Sequence, residues 1–310
     1  MILPAVAVVI RSKDDASLIP ETLSAVRAQD YPGGVRRIHI DSGSADGTVE
    51  CIERSKPDIF VQIRAENYIP GQVLNTGMKL SSEEWVVFLN SDATPVDRFW
   101  LKNLMTCVVE NPGRIENSRS TMHDPRSTSR VGAVFGGQIP RSDCEAVYAH
   151  DYERCFGPER ESARWPHFFS MVSSAVNRKA WLEQPFREDM RYSEDEEWSF
   201  RIRRHGWVIR YVPGSVVMHS HNYTLAQARK RHYGEGFALG ATPALAEGQP
   251  ETLPGAVLAA GCDAFRDFVY CARRQKLSEW PHAVAVRLAQ RLGKREGLKA
   301  GRGHYAGKEI

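Results

Sequence analysis

A chain of 310 residues, 42% hydrophobic and 25% charged, carries enough apolar material for one large α/β unit with an appendage. Its formal net charge of +3 supplies no global field for nucleic acid, so a nucleic-acid partner is not expected. No apolar run approaches the roughly 18 residues of a membrane span, and MILPAVAVVIRSKDD lacks the basic start and cleavage site of a secretory signal. Six cysteines (51, 107, 144, 155, 262 and 271) form no CxxC pair, which suits reduced thiols in the cytoplasm.

The first hundred residues alternate strand and helix signals. AVAVVI (5–10) is a continuous apolar run, as expected of a strand buried on both faces. SLIPETLSAVRAQ follows with Leu18, Ile19, Leu23 and Val26 on one helical face. RRIHID (36–41) is a second strand, then a turn and a helix from about Thr48 to Arg54. DIFVQIR (58–64), the helix GQVLNTGMKLSS, the strand EWVVFLN and the helix DRFWLKNLMTCVVEN complete the series. Such alternation predicts βαβ units and a mostly parallel central sheet flanked by helices. Residues 113–130, polar and rich in Ser and Arg, read as a long loop. Structure resumes with VGAVFGGQIP, and mixed material continues to about residue 190. WVIRYVP and SVVMHSH (207–221) read as two late strands, and TLAQARKRHYGEGFALG as a helix. AEGQPETLPG (246–255) has the composition of a linker. Two helices (256–275 and about 281–293) and a frayed basic tail are expected after it.

In a doubly wound sheet, ligands bind beyond the carboxyl ends of the strands. After the first strand come Arg11 to Asp15, after the second Asp41 to Ser44, and after the fourth Asn90, Ser91 and Asp92. Each alone reads as a cap or turn, but three converging on one edge predict a site. No glycine-rich dinucleotide or P-loop fingerprint is present, so a carboxylate-held divalent metal is the natural grip on phosphate. The NSD triplet carries one acid where such sites usually have two. Further on, Glu194 to Glu197 stand at a probable helix start, where acids also serve the helix dipole. Asp195 among other carboxylates has the setting for a raised pKa and a general base. His219 and His221 lie two apart at a chain end and are candidate metal ligands, although such a pair is more often surface or core.

VVIRSKDD, IDSGSADGTVE, VVFLNSDATP, FFSMVSSAVNRKAW, SEDEEWSFRIRRHGW and YVPGSVVMHSHNYT, in this order and spacing, resemble a family-2 inverting glycosyltransferase of the GT-A fold, rhamnosyltransferase-like in flavour. The match covers roughly residues 5–240. It implies a GT-A domain over 1–245, with a nucleotide-binding half at about 1–112 and an acceptor-side half at about 131–245; residues 246–310, outside those motifs, read by composition as a linker and basic helical tail. It implies that Arg11, Lys13, Asp14, Asp41, Asn90 and Ser91 bind a nucleoside-diphosphate sugar, with Asp41 accepting from a uracil or thymine imide. Asp14 stands where Asn is commoner. Asp92 would hold Mn2+ or Mg2+ with His219, His221 being the second choice, and Asp195 would deprotonate the acceptor hydroxyl. Gln138, Trp165, Ser174 and Glu194 are expected on the acceptor side, while Trp198 and Trp207 read as core.

The implied activity moves a sugar such as rhamnose from a dTDP- or UDP-sugar to a hydroxyl of a glycan or lipid-linked glycan. Residues 281–310 hold seven Lys or Arg against two Glu, with Val284, Val286, Leu288 and Leu292 on an apolar side. That pattern predicts peripheral contact with the inner face of the cell membrane, or a solvated or dimer-forming helix. Two other readings stay open: a nucleotide-sugar-binding scaffold without turnover, favoured by the single acid of NSD, and a sugar-phosphate nucleotidyltransferase, which VIRSKDD does not support.

Overall fold

The computed structural model describes residues 2–109, 130–246, 248–250 and 252–306. Eight strands form one sheet in the order β3-β2-β1-β4-β7-β6-β8-β5. They are β1 (Val6–Ser12), β2 (Val35–Asp41), β3 (Ile59–Gln62), β4 (Trp85–Asn90), β5 (Thr94–Pro95), β6 (Arg130–Ile139), β7 (Ser173–Asn177) and β8 (Trp207–Met218). Strand β1 lies between β2 and β4, parallel to both, so apolar side chains are needed on each face. Alternate residues separate into two cores. Ala7, Val9, Ile38, Ile40, Val86 and Phe88 face one side; Val6, Val8, Ile10, Trp85, Val87 and Leu89 face the other.

Helices cover both faces. Helices α1 (Ile19–Arg27) and α4 (Trp100–Val109) place Val26, Leu101 and Leu104 on the second core. Helices α3 (Pro70–Leu80), α6 (Arg178–Glu183) and α7 (Glu194–Arg204) place Leu74, Met78, Trp181 and Trp198 on the first. Trp198 and Trp207 are core, as their amphipathic settings predict. Helix α2 (Thr48–Ser55) follows β2. The sheet is parallel through β1–β4 and between β6 and β8, whereas β7 runs antiparallel to β4 and β6, and β5 antiparallel to β8.

The late strand pair read from residues 207–221 is a single strand. Its register against β6 jumps from Gly136↔Val212 to Gly137↔Val216, so Pro213–Gly214–Ser215 bulge out without ending β8. The bulge presses against β6: a Cβ on Gly136 would lie 2.3 Å from the Ser215 carbonyl oxygen. The loop read over 113–130 lies outside the described residues apart from Arg130, which starts β6.

Helices α5 (Ala146–Phe156), α8 (Leu225–Gly240), α9 (Leu253–Arg273) and α10 (Trp280–Ala306) form the last layer. The expected frayed tail is a correction: α10 continues helical to Ala306. What holds it is a close parallel crossing with α8. Cβ atoms on Gly293, Gly297 and Gly301 would fall 2.3, 2.0 and 2.1 Å from the carbonyl oxygens of Arg229, Tyr233 and Phe237. Gly236 and Gly240 receive α10 in the same way, 2.1 and 2.3 Å from the Lys294 and Leu298 oxygens. Glycines each weaken a helix by about 1 kcal/mol, and here they permit backbone contact that any other residue blocks. The basic residues of this helix also differ from expectation. Arg287 is buried between Asp267 (2.7 Å) and Asp151 (2.8 Å), and Arg291 pairs with Asp263 at 2.5 Å, so both point inward.

Replacing Gly297 by Leu should therefore cost about 2–3 kcal/mol by overpacking, read as a lower denaturation midpoint, while the exposed Gly303, with nothing near its Cβ, should accept Ala without loss.

Candidate active site

A cleft of about 900 Å3 opens at the carboxyl ends of β1 and β4 and runs toward α8 and α10. Two short pairings build its centre. Strand β5 hydrogen-bonds to the end of β8, with Thr94 opposite Met218, and the His219 amide donates to the Ile139 carbonyl oxygen at 2.9 Å. Asp92, two residues before β5, is thereby brought against His219, one residue after β8. The Asp92 carboxylate Oδ2 lies 3.4 Å from His219 Nε2 and 3.1 Å from His221 Nε2, and the two Nε2 atoms are 3.1 Å apart. The histidines sit in the loop beyond the strand, not on one strand face.

Burial works to raise the Asp92 pKa, yet the two imidazoles hold it far below the usual carboxylate range. The donor set fits a divalent cation. Asp92, His219 and His221 each offer one ligand atom, all within 4.8 Å of one another. Gln138 fixes the chemistry of His219: its amide nitrogen donates to Ser170 Oγ at 2.9 Å, which turns its oxygen toward His219 Nδ1, also at 2.9 Å. With Nδ1–H donating to that oxygen, Nε2 is the atom left to serve the site: when protonated it donates to Asp92, and when neutral it offers its lone pair to a cation, as a ligand histidine requires. The Tyr152 hydroxyl stands 3.1 Å from the same Nδ1. Two imidazoles with one carboxylate make a mixed nitrogen and oxygen donor set for a divalent cation.

The second group of acids starts α7. Ser193 takes the left-handed conformation (φ 57), which lets the chain enter the helix with Glu194 and Asp195 lining the cleft. The Glu196 amide donates to Asp195 Oδ1 at 2.9 Å and the Met171 amide to Oδ2 at 3.4 Å. The Met171 carbonyl in turn accepts from Arg11 Nη2 at 2.9 Å, so the backbone of one residue links the guanidinium to the carboxylate. Burial raises the pKa of Asp195, against these hydrogen bonds and the Arg11 charge. Burial and the charge of Asp195 push Glu194 and Glu196 up to about 7.

The structure gathers Arg11, Lys13, Asn90, Ser91, Asp92, Gln138, Glu194, Asp195, His219 and His221 around this cleft. Asn90 Oδ1 accepts from Arg11 Nη2 at 2.6 Å, and the Lys13 ammonium reaches the Gly43 carbonyl at 2.7 Å. Four expected residues are not brought there. Asp14, with φ 53, turns outward to the Ala45 amide (2.9 Å) and Lys13 (2.7 Å). Asp41 is fully buried, and both its oxygens are taken by the Gly43 and Ser44 amides and the Ser12 and Ser44 hydroxyls. Ser174 is buried in β7 with its hydroxyl on Met171 Sδ at 3.3 Å. Trp165 stands outside, edge-on to Phe168.

Sequence reasoning missed Asp15, whose Oδ2 accepts from the Ser91 hydroxyl and whose pKa burial raises, with Asp92 adding to the shift. The Asp14–Asp15 pair was the available signal, but the backbone turn that selects Asp15 is invisible in residue type. Tyr152 was not singled out either: it lies in the stretch read only as mixed material, and on α5 it recurs with Tyr148 and Phe156 at a helical spacing that residue type does not distinguish from core. Arg231, Glu235, Gln290 and Lys294 also line the cleft, from α8 and α10.

A mixed sheet with a carboxylate site at the β4 end and an acidic helix start lining the same cleft matches the GT-A glycosyltransferase arrangement that the sequence motifs resemble. The profile of glycosyl transferase family 2 matches residues 7–178, and the chain belongs to that family. The O-antigen chain rhamnosyltransferase RfbN of Salmonella typhimurium is 26% identical over 243 residues, 74% of this chain and 71% of the relative. The pre-mycofactocin glycosyltransferase of Mycobacterium tuberculosis is 29% identical over 269 residues, 83% of this chain but only 50% of that relative's length. Among solved structures, a mannosyltransferase of Pyrobaculum calidifontis in complex with GDP-Man and Mn2+ shares the fold at a TM-score of 0.57 and 20% identity, over 92% of this chain and 86% of that one. Glucosyl-3-phosphoglycerate synthase of M. tuberculosis, with Mn2+ and UDP-glucose, shares it at 0.51 and 16% identity, over 76% of this chain and 78% of that one.

Gln138→Leu removes the acceptor for His219 Nδ1–H without touching a candidate ligand atom. Calorimetric Mn2+ titration should show affinity lowered about 10–100-fold, with the thermal midpoint of the metal-free protein kept near that of the wild type.

Proposed function

We propose that the protein transfers a sugar, with inversion, from a nucleoside-diphosphate sugar to an acceptor hydroxyl, using a divalent cation held by Asp92, His219 and His221. The observation that carries this reading is the meeting of those three side chains in the cleft that Asp195 also lines. The GDP-Man, UDP-glucose and Mn2+ found with the two structural neighbours support the donor class and the cation. Similarity to O-antigen rhamnosyltransferases supports rhamnose as the sugar, from dTDP- or UDP-rhamnose, and a glycan or lipid-linked glycan as the acceptor.

A cation bound there would neutralise charge building on the departing diphosphate. The chain's own groups do the rest. Arg11, tethered to Asn90 and Met171, and Lys13 at the mouth supply fixed positive charge on the donor side. Asp195 accepts the acceptor proton as the new glycosidic bond forms and the bond to diphosphate breaks on the opposite face of the sugar. Its two backbone donors hold the carboxylate in one orientation, and burial keeps its basicity above that of a solvated aspartate. Burial and the Asp195 charge raise the pKa of Glu194 beside it. In this reading residues 1–245 carry donor binding and chemistry, and α10 closes the acceptor end through Gln290 and Lys294. A binding protein without turnover would have no use for a half-buried carboxyl of raised pKa lining the same cleft as the cation site.

Asp195→Asn should lower kcat about 10²–10⁴-fold while donor binding, read by thermal shift with Mn2+, is kept. Wild-type turnover in that variant contradicts the assignment of the base.

The pH profile carries a sign. Asp195 acts only as the carboxylate, and a raised pKa means protons are held to higher pH. The rising limb of kcat/KM should therefore lie above the ordinary aspartate value of about 4. Activity should increase with pH through that limb, and Arg11→Met should move it higher still by removing a charge that lowers the Asp195 pKa.

A thermal-shift panel of nucleoside diphosphates and their sugars, with and without Mn2+, ranks the donor: dTDP- or UDP-rhamnose should stabilise most, and only weakly without cation.

A further inference from the structure

Helix α9 is inside out. Its buried face carries its only two acids, Asp263 and Asp267, 4% and 1% exposed. They are neutralised by Arg291 (2.5 Å) and Arg287 (2.7 Å) of α10, with His150 of α5 also on Asp267 at 2.7 Å. Its outward face is apolar. Leu258 is 71% exposed and Phe265 67%, with Leu253, Val257 and Phe268 at 50%, 48% and 40%. Leu258 and Phe265 are two helical turns apart and so lie on one line, while Arg266 and Arg273, again two turns apart, run along its edge. Side chains this exposed add nothing to folding in water, and a contiguous stripe of them marks a surface that meets something apolar.

We propose that α9 lies in the plane of an anionic lipid surface, its Leu258–Phe265 line at the acyl boundary and Arg266 and Arg273 among the head groups. Charge selects this occupant. Both acids of α9 are buried, and although Arg266 reaches Asp263 at 3.5 Å its side chain stays half exposed, so the outward charges of the helix are arginines alone. Pairing the face with a second copy would satisfy the apolar stripe but offer those arginines no acid from the same helix. Anionic lipid satisfies both classes of group, as for other basic amphipathic helices. Across the adjoining groove, Glu153 and Glu161 are engaged by Arg274 and Arg154 at 2.8 and 2.9 Å, and with Glu159 these acids still face four arginines, Arg154, Arg266, Arg273 and Arg274. Among the described residues no helix is long and apolar enough to cross a membrane, which accords with contact in the plane. The docking face is α9, not the basic end of the chain, where Arg287 and Arg291 are consumed internally. Helix α5 separates α9 from the cleft, so the docked cleft stands one helix from the lipid. The inference does not depend on which sugar or cation the cleft takes.

The test is flotation of the full chain with vesicles of phosphatidylcholine alone or containing phosphatidylglycerol. The protein should float with the anionic vesicles at low ionic strength and progressively less as salt rises. Leu258→Glu with Phe265→Glu should weaken flotation at least about tenfold, and Arg266→Glu with Arg273→Glu by about tenfold. The Leu258→Glu/Phe265→Glu variant should keep the wild-type thermal midpoint, because both side chains are solvent-exposed. No flotation with anionic vesicles, or equal flotation of wild type and Leu258→Glu/Phe265→Glu, overturns the proposal. So does a concentration-dependent dimer in velocity sedimentation that the same variant dissolves, which would assign the face to a second copy.

Discussion

The Asp92 carboxylate is a charge 7% exposed at the end of an apolar strand, and the surrounding structure is arranged to compensate it. An unpaired buried carboxylate takes up a proton. Here two imidazoles deliver nitrogen atoms within 3.4 Å of it and keep it ionised. That arrangement needs the ends of β4, β6 and β8 at one point. The antiparallel pairing of β5 with β8, the parallel pairing of β6 with β8 and the bulge at Pro213–Ser215 bring them there. Gln138 arrives from β6 and Tyr152 from α5, both on the same ring nitrogen. A site of one carboxylate and two histidines also explains why Asn90 suffices where a second acid is common. Its carbonyl oxygen is committed to Arg11, and the donors that complete the set come from more than a hundred residues further along.

The C-terminal helices are tied to this centre in two ways. Close backbone contact between α8 and α10, possible only through five glycines, sets Gln290 and Lys294 at the cleft wall. Buried ion pairs from Arg287 join α10 to α9 and to α5, the helix that carries Tyr152. Breaking one partner of such a pair leaves an uncompensated buried charge, which is costly. The appendage therefore supports the site, while its outward face is free to meet lipid.

Much of the fold was legible in the sequence because the apolar runs of the first strands alternate with amphipathic helices and polar turns. The convergence of Arg11, Asn90 and Asp92 followed from strand order alone. Strand β7 was not legible: SSAVN is short and stands amid aromatic and polar residues, and only its antiparallel partners define it. Strand β8 was cut in two because Pro213 and Gly214 read as a turn, whereas they form a bulge. Helix α10 was truncated because glycines at 293, 297 and 301 lower intrinsic helix propensity, and their close-contact role depends on a partner helix. Asp41 shows a similar limit: residue type marks a carboxylate at a strand end, but only its four hydrogen bonds show that it locks the turn instead of facing the cleft.

The claim on which the rest turns is that Asp92, His219 and His221 together hold a divalent cation. Electron spin-echo spectroscopy of Mn2+ bound in the presence of a nucleoside diphosphate reads the ligand nitrogens directly. The account predicts coupling to two imidazole nitrogens in the wild type and to one in either His219→Ala or His221→Ala. Nitrogen coupling absent from the wild type, or unchanged in both variants, would contradict it.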